Sequence, residues 1–202
     1  MSLRALYMDF GGVLVRTVDR APRTQLAASL GLSTRDMEQI VFESPSAIQA
    51  AVGAISEEQH WKNVIEALKL PESKLPRVHE EFFRGDFWDE TLFDFVRGLR
   101  KTIRTGLISN AWTGLRAVIV KHRFEDAFDT MIISAEVQVA KPDARIYQLA
   151  LEKLELAAGE AVFVDDVPSN VEAARAVGMQ AIQFTQSQEV MEEIRQLLAN
   201  HR

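Results

Sequence analysis

Residues 5–14 read ALYMDFGGVL, and this stretch decides how the rest of the chain is interpreted. Its first four residues, Ala5–Met8, form a short apolar run that predicts a buried strand. Asp9 follows at once, and Gly11 and Gly12 then relax the turn and let the backbone approach a ligand. We expect the Asp9 carboxylate to project from the carboxyl edge of a sheet, where open α/β sheets bind their ligands.

Later parts of the chain alternate between strand and helix patterns. Apolar runs predict strands at Ile103–Ile108, Met131–Ile133, Ala161–Val164 and Ala181–Phe184. Helical patterns follow at Gly114–His122, Pro142–Leu154, Ser169–Val177 and Gln188–Asn200. Such alternation predicts βαβ units, and nearly continuous apolar strands are typical of a parallel sheet covered on both faces. We therefore expect an α/β fold with a Rossmann-like parallel core of about five strands.

The segment from Arg16 to Asp89 has a different pattern. It contains no convincing strand but several helix starts, among them Ser33, Pro45 and Ser56. We interpret residues 16–89 as a small helical cap inserted after the first strand. Residues 1–15 and 90–202 then form the core.

Composition excludes several classes of function. The 202 residues include no cysteine, which rules out disulfides and thiolate chemistry and favours a cytoplasmic setting. The formal net charge of −6 argues against a nucleic-acid surface. No apolar run approaches the ~18 residues of a membrane span. We expect the chain to bind neither nucleic acid nor membrane.

Two adjacent carboxylates, Asp165 and Asp166, end the fourth predicted strand in the sequence AVFVDDVPSN at residues 161–170. A pair of aspartates before Pro168 would by itself more often cap the following helix. With Asp9 at the same sheet edge, however, three carboxylates repel one another unless a cation compensates. Mg²⁺ is the natural candidate, because it binds one or two carboxylates together with water and phosphate oxygens.

Three further polar residues stand near predicted strand or helix ends. Ser109, in GLISNA, ends the second strand; its hydroxyl and the Asn110 backbone N–H are placed to donate to a phosphate oxygen, although a turn or helix cap is the alternative. Lys141 precedes Pro142, which we expect in the first helical turn, so that the lysine stands at the helix mouth. A cation there would balance the carboxylates and a phosphate. Asn170 either orients a carboxylate ligand or caps its own helix.

Taken in order, the residues in DFGGVL, SNA, KPDARIY and DD resemble the motifs of the haloacid dehalogenase-like superfamily. They are most similar to the branch that contains bacterial sugar-phosphate phosphatases and the phosphatase domain of soluble epoxide hydrolase. The resemblance implies an Mg²⁺-dependent phosphatase with a cap, acting on a small phosphorylated metabolite, either as a monomer or as a homodimer.

The resemblance also implies roles for individual residues. Asp9 would be the nucleophile that forms an aspartyl-phosphate, and Lys141 would neutralise charge on the nucleophile and the phosphate. The implied phosphate-binding set is Ser109, Asn110, Lys141, Gly11 and Gly12. The implied metal site is Asp9, the Gly11 carbonyl and Asp166, with Asp165 helping directly or through water.

Gly11 departs from the family pattern, because most phosphatases of the superfamily carry a second aspartate there that protonates the leaving group. General acid–base help is worth about 10²–10⁴-fold, so its loss would slow catalysis without abolishing it. We expect substrates with good leaving groups, such as sugar-1-phosphates, or a proton from water or a cap residue. Arg16, Glu43 and Trp112 are candidates for residues near the mouth of the site.

Three alternatives remain open at this point. A 2-haloacid dehalogenase would attack with the same first aspartate, but needs no metal and lacks the acidic pair. A non-catalytic regulatory or binding protein could keep the fold after losing the acid at position 11. A phosphomutase is less favoured, since it depends on that acid in both directions.

Overall fold

The computed structural model describes residues 2–200 and places five strands in one parallel sheet. The strands are β1 (Ala5–Met8), β4 (Arg104–Ser109), β5 (Thr130–Ile133), β6 (Ala161–Asp165) and β7 (Gln180–Gln183). Their order is β5-β4-β1-β6-β7, and every neighbouring pair is parallel. The predicted fold class is confirmed, and the carboxyl ends of β4, β1 and β6 lie side by side.

Helices cover both faces of this sheet. They are α6 (Glu90–Leu99), α7 (Leu115–Lys121), α8 (Ser134–Val137), α9 (Ala144–Lys153), α10 (Pro168–Val177) and α11 (Ser187–Asn200). Because side chains alternate along a strand, Leu6 and Met8 of β1 pack in the cluster that contains buried residues of α6, α7 and α11. Ala5 and Tyr7 pack against α9 and α10 on the opposite face.

The segment between the first two strands of this sheet folds around an apolar cluster of its own. Its helices are α1 (Ala21–Ser29), α2 (Thr34–Glu38), a π-helical turn (Gln39–Glu43), α3 (Pro45–Ala51), α4 (Glu57–Ala67) and α5 (Leu75–Phe83). The side chains of Ser33, Ser44 and Ser56 each accept a backbone N–H in the first turn of the helix that follows. The three helix starts predicted there are therefore confirmed. No helix within residues 2–200 is long and apolar enough to cross a membrane.

The prediction that this segment contains no strand is wrong. β2 (Val15–Thr17) and β3 (Asp86–Trp88) pair as an antiparallel ribbon where the chain leaves the parallel sheet and returns to it. Strands of three residues with mixed polarity are too short to show a period of two. Arg16 fixes the ribbon to α6, because its guanidinium lies 2.7 Å from the Asp89 carboxylate. The cap boundaries at residues 16 and 89 stay a prediction.

Candidate active site

Three carboxylates from two distant parts of the sequence meet at the carboxyl edge of the sheet. Asp9 follows β1, Asp165 ends β6 and Asp166 comes next, and one oxygen from each lies within 4.8 Å of the others. The Asp9 backbone N–H donates to the Val164 carbonyl at 2.8 Å, which extends the pairing of β1 with β6 up to the site. The adjacency of these two strands is therefore what brings the carboxylates together.

Lys141 places a buried cation among these carboxylates. Its Nζ lies 2.7 Å from Asp9 Oδ1 and 2.6 Å from Asp165 Oδ2, and its side chain is 1% exposed. The expected start of the following helix is wrong by two residues. Helix α9 begins at Ala144 rather than Pro142, because the Asp143 side chain caps it by accepting the Arg145 N–H at 2.9 Å. Lys141 nevertheless stands just before the helix.

Donors from several elements surround the Asp165 carboxylate. Besides Lys141, the Val167 N–H donates to Asp165 Oδ1 at 2.8 Å, and Asn170 Nδ2 lies 3.1 Å from both carboxylate oxygens. The Tyr147 hydroxyl in turn donates to the Asn170 carbonyl at 2.9 Å. Of the two roles considered for Asn170, orienting a carboxylate is the one observed. Asp165 has little hydrogen-bonding capacity left, whereas no such ring of donors surrounds Asp166 within residues 2–200.

The two glycines after Asp9 have different surroundings. Gly12 has φ +83°, and a Cβ on it would lie 2.3 Å from Asp166 Oδ2, so the Asp166 carboxylate packs directly on the glycine backbone. A Cβ on Gly11 would meet no atom of residues 2–200 within 4 Å. Only Gly12 is therefore required to be glycine by backbone conformation and close packing.

Ser109 and Asn110 lie at the end of β4, beside Asp9. Ser109 is 2% exposed, and no hydrogen bond of its hydroxyl is found within residues 2–200. The Asn110 side chain bonds the Lys141 backbone through both of its polar atoms: its Nδ2 donates to the carbonyl at 2.9 Å, and its Oδ1 accepts the N–H at 2.7 Å. The sequence predicts a role for the Asn110 backbone N–H, but not this contact of its side chain.

The electrostatics of the cluster favour an added cation. Burial raises the pKa of Asp9 to about 7, an effect that Lys141 opposes and the negative charge of Asp165 reinforces. Burial likewise raises the pKa of Asp166, again with Asp165 acting in the same direction. Asp9 Oδ1 is held by the Phe10 N–H at 2.7 Å and by Lys141, while no donor for Oδ2 is found in the described part of the chain. Closely spaced hard carboxylate oxygens fit Mg²⁺.

The loop after Ser109 also contacts the helical segment above the sheet. The Trp112 ring lies 4.5 Å from the His60 ring and stacks on Phe42 at 6.1 Å. The Gly114 N–H donates to Glu57 Oε2 at 2.8 Å, across the same boundary. The contacts of Glu57 and His60 with this loop could not be predicted, because a glutamate in a first helical turn and a lone histidine carry no distinctive sequence signal.

The other two candidates for the mouth of the site are engaged elsewhere. Arg16 donates to the Val13 carbonyl at 2.5 Å and pairs with Asp89. Glu43 pairs with Arg35 at 2.7 Å on an exposed surface. Of the three candidates, Trp112 is the one that lies in the loop after Ser109 and contacts the helical segment.

Comparisons with known proteins agree with this geometry. Residues 3–178 match the model of the haloacid dehalogenase-like hydrolase family. The bifunctional epoxide hydrolase 2 of Sus scrofa is 31% identical over 96% of this chain and 38% of its own length. A phosphorylated carbohydrates phosphatase of Thermotoga maritima is 29% identical over 89% of this chain and 84% of its own length. Both kinds of relative expected from the motifs are thus confirmed.

A solved structure shows the same fold. A HAD family enzyme of Bacteroides thetaiotaomicron, in complex with magnesium and inorganic phosphate, superposes with a TM-score of 0.78 at 21% identity, covering 91% of this chain and 95% of that one. For three curated relatives, the pig enzyme among them, this chain spans only 7% to 38% of the relative's length.

Proposed function

Since the chain belongs to the haloacid dehalogenase-like hydrolase family, we propose that it is an Mg²⁺-dependent phosphatase that hydrolyses a small phosphomonoester through Asp9. One observation carries the proposal: three carboxylates lie within 4.8 Å of one another at a sheet edge, with the buried Lys141 ammonium 2.7 Å from Asp9. This set supplies a nucleophile, a cation and metal ligands in one place. The named activity of the Thermotoga relative supports the same class of substrate.

In the proposed reaction Asp9 is the nucleophile. Its Oδ1 is held by Lys141 and the Phe10 N–H, which leaves Oδ2 to attack phosphorus. A bond forms between Oδ2 and phosphorus, the bond to the leaving oxygen breaks, and the aspartyl-phosphate is later hydrolysed by water, which regenerates Asp9. The covalent intermediate divides one difficult displacement into two easier steps.

The remaining residues position and stabilise the phosphoryl group. The Ser109 hydroxyl and the Asn110 backbone N–H donate to its non-reacting oxygens, and Lys141 offsets its negative charge. Asp9, Asp166 and the Gly11 carbonyl would hold Mg²⁺, which when bound supplies further positive charge to the carboxylates and the phosphate. Asp165, surrounded by donors, contributes by holding Lys141. Phosphoryl transfer depends mostly on such positioning and charge stabilisation.

Gly11 limits the chemistry of the leaving group. No side chain at this position can donate a proton, so we propose substrates whose leaving group departs without strong acid help, such as sugar-1-phosphates. A missing general acid costs about 10²–10⁴-fold on a poor leaving group. We also propose that residues 16–89 act as a cap that selects the substrate, and that the chain works in the cytoplasm.

A phosphatase screen with Mg²⁺ tests the proposal. The purified protein is assayed for phosphate release from a broad panel of phosphorylated metabolites, beside Asp9→Asn, which keeps the shape of the nucleophile but not its charge. We expect turnover by the wild type only, and its loss in EDTA. Turnover that ignores EDTA, together with halide release from 2-haloacids, would indicate a dehalogenase. Magnesium binding without any turnover would indicate a binding protein.

A further inference from the structure

We propose that Asn110 is a positioning residue that acts through Lys141. Its side chain fixes the backbone of the lysine, and thereby the distance between the Lys141 ammonium and the nucleophile Asp9. The inference rests on the proposed function, because it assigns Lys141 a part in phosphoryl transfer. It assigns the Asn110 side chain to the lysine, beside the role of the Asn110 backbone N–H as a donor to the phosphate.

The contact joins residues 31 positions apart in the sequence. Asn110 Nδ2 donates to the Lys141 carbonyl at 2.9 Å while Asn110 Oδ1 accepts the Lys141 N–H at 2.7 Å, so that one side-chain amide satisfies both polar groups of one backbone residue. Two hydrogen bonds in a closed ring fix orientation as well as distance. Both polar atoms of the Asn110 amide are thus bonded to Lys141, and the second N–H of Nδ2 is the one donor left over.

Lys141 depends on this support because no regular element holds it. It lies in the irregular connection at residues 138–143, between the end of α8 at Val137 and the start of α9 at Ala144. No other hydrogen bond of its backbone N–H or carbonyl is found within residues 2–200. The connection begins at Gln138 with a φ of 59°. Without Asn110, both backbone groups of the lysine would lose their partners.

The ammonium group at the end of the same side chain supplies the positive charge among the carboxylates of the site. Its Nζ lies between Asp9 Oδ1, at 2.7 Å, and Asp165 Oδ2, at 2.6 Å, and its side chain is almost entirely buried. Lys141 is therefore held at both ends, by Asn110 at the backbone and by two carboxylates at the ammonium. A displacement of about 1 Å in such a group can cost about 10²-fold in rate.

Asn110 also follows Ser109 directly, so a single residue links two parts of the site. Its backbone N–H belongs to the end of β4, where the phosphate is proposed to bind, and its side chain sets the position of Lys141. The phosphate donors and the ammonium are thereby held in one fixed arrangement. Removing the Asn110 side chain should shift the position of Lys141 while leaving Asp166 and the turn at Gly11 and Gly12 in place.

The first test compares Asn110→Ala with Thr113→Ala, an exposed residue in the same loop for which no side-chain hydrogen bond is found within residues 2–200. We expect Asn110→Ala to lower kcat about 10²-fold, with little change in KM or in the Mg²⁺ concentration that gives half-maximal activity. Thr113→Ala should match the wild type. A loss confined to KM, or an unchanged kcat, would overturn the proposal.

A double-mutant comparison shows whether Asn110 acts through the lysine. In a Lys141→Ala background, adding Asn110→Ala should produce almost no further loss in kcat, because the group that it positions is already gone. A second loss as large as that in the wild-type background would show that Asn110 acts independently of Lys141. A general structural role would also give such independent losses.

A structure of the variant keeps the inference separate from the proposed function. In a crystal structure of Asn110→Ala we expect Lys141 Nζ to leave the position between Asp9 and Asp165, and an unmoved lysine refutes the proposal whether or not the protein is a phosphatase. A wild type without turnover refutes the proposed function alone. If Asn110→Ala does not fold, Asn110→Asp serves instead. The aspartate keeps an acceptor for the Lys141 N–H but has no donor for the Lys141 carbonyl, so the lysine backbone should move on the carbonyl side only. A lysine backbone that does not move in that variant overturns the inference.

Discussion

Replacing Gly12 by alanine, with Gly11→Ala as its matched control, is predicted to damage the metal site selectively. A Cβ at position 12 would lie 2.3–2.5 Å from the three carboxyl atoms of Asp166, and the residue has φ +83°. A Cβ at position 11 would meet nothing within 4 Å among the described residues. The left-handed conformation costs a non-glycine residue about 1–3 kcal/mol. In a chain of this length that lowers Tm by roughly 2–12 °C.

The clash forces the Asp166 carboxylate out of its present position, so Gly12→Ala should also weaken Mg²⁺ binding by about 10–100-fold. The assay is a titration of phosphatase activity and of Tm with MgCl₂ for the wild type and both alanine variants. Gly11→Ala should follow the wild-type curve. If Gly12→Ala binds Mg²⁺ as tightly as Gly11→Ala does, Asp166 is not a ligand or is not placed by the glycine turn, and the reasoning fails.

Four further predictions concern the same site and its surroundings. Gly11→Asp should accelerate hydrolysis of alkyl phosphates by about 10²-fold and that of aryl phosphates much less, whereas Gly11→Asn should leave both rates unchanged. Equal gains on alkyl and aryl phosphates would exclude a general acid role for the new side chain. In the metal-free protein, Asp9→Asn should raise Tm, because it removes one of three crowded carboxylates; an unchanged or lower Tm would contradict this. Burial raises the pKa of Asp9 to about 7, so Mg²⁺ must displace a proton from Asp9 at lower pH. The apparent Kd for Mg²⁺, measured by calorimetry, should therefore rise by up to about tenfold for each pH unit below that pKa. A Kd that does not change with pH would contradict this. Glu57→Ala removes the acceptor for the Gly114 N–H and should lower stability by about 1 kcal/mol in chemical denaturation, whereas Glu58→Ala, which loses only an exposed pair with Lys62, should have a smaller effect.

The core strands could be predicted from the sequence because burial on both faces leaves a continuous apolar signature. The bounds predicted for β1, Ala5–Met8, are those of the structure. Helix α6 could also have been predicted, since Asp89 caps it and Leu92, Phe93 and Val96 recur on one buried face. The ribbon of β2 and β3 could not, because three residues are too few for a period to emerge.

The sequence predicted those parts of the site that lie at the ends of strands, and not the others. The order of the parallel strands brings Asp9 beside Asp165 and Asp166, since polar residues that end neighbouring strands share one edge. The contact of Asn110 with the Lys141 backbone depends on how two irregular loops meet, which no local pattern encodes. The same holds for Trp112, whose ring packs against His60 from another part of the chain.

A crystal structure grown with Mg²⁺ and fluoroberyllate, a mimic of the aspartyl-phosphate, tests the central claim most directly, because it requires no knowledge of the substrate. Beryllium should be bonded to Asp9 Oδ2, with Mg²⁺ contacting Asp9 and Asp166 and with Lys141 still on Asp9 Oδ1. A site in which fluoroberyllate leaves Asp9 unmodified while Mg²⁺ is bound would contradict the account.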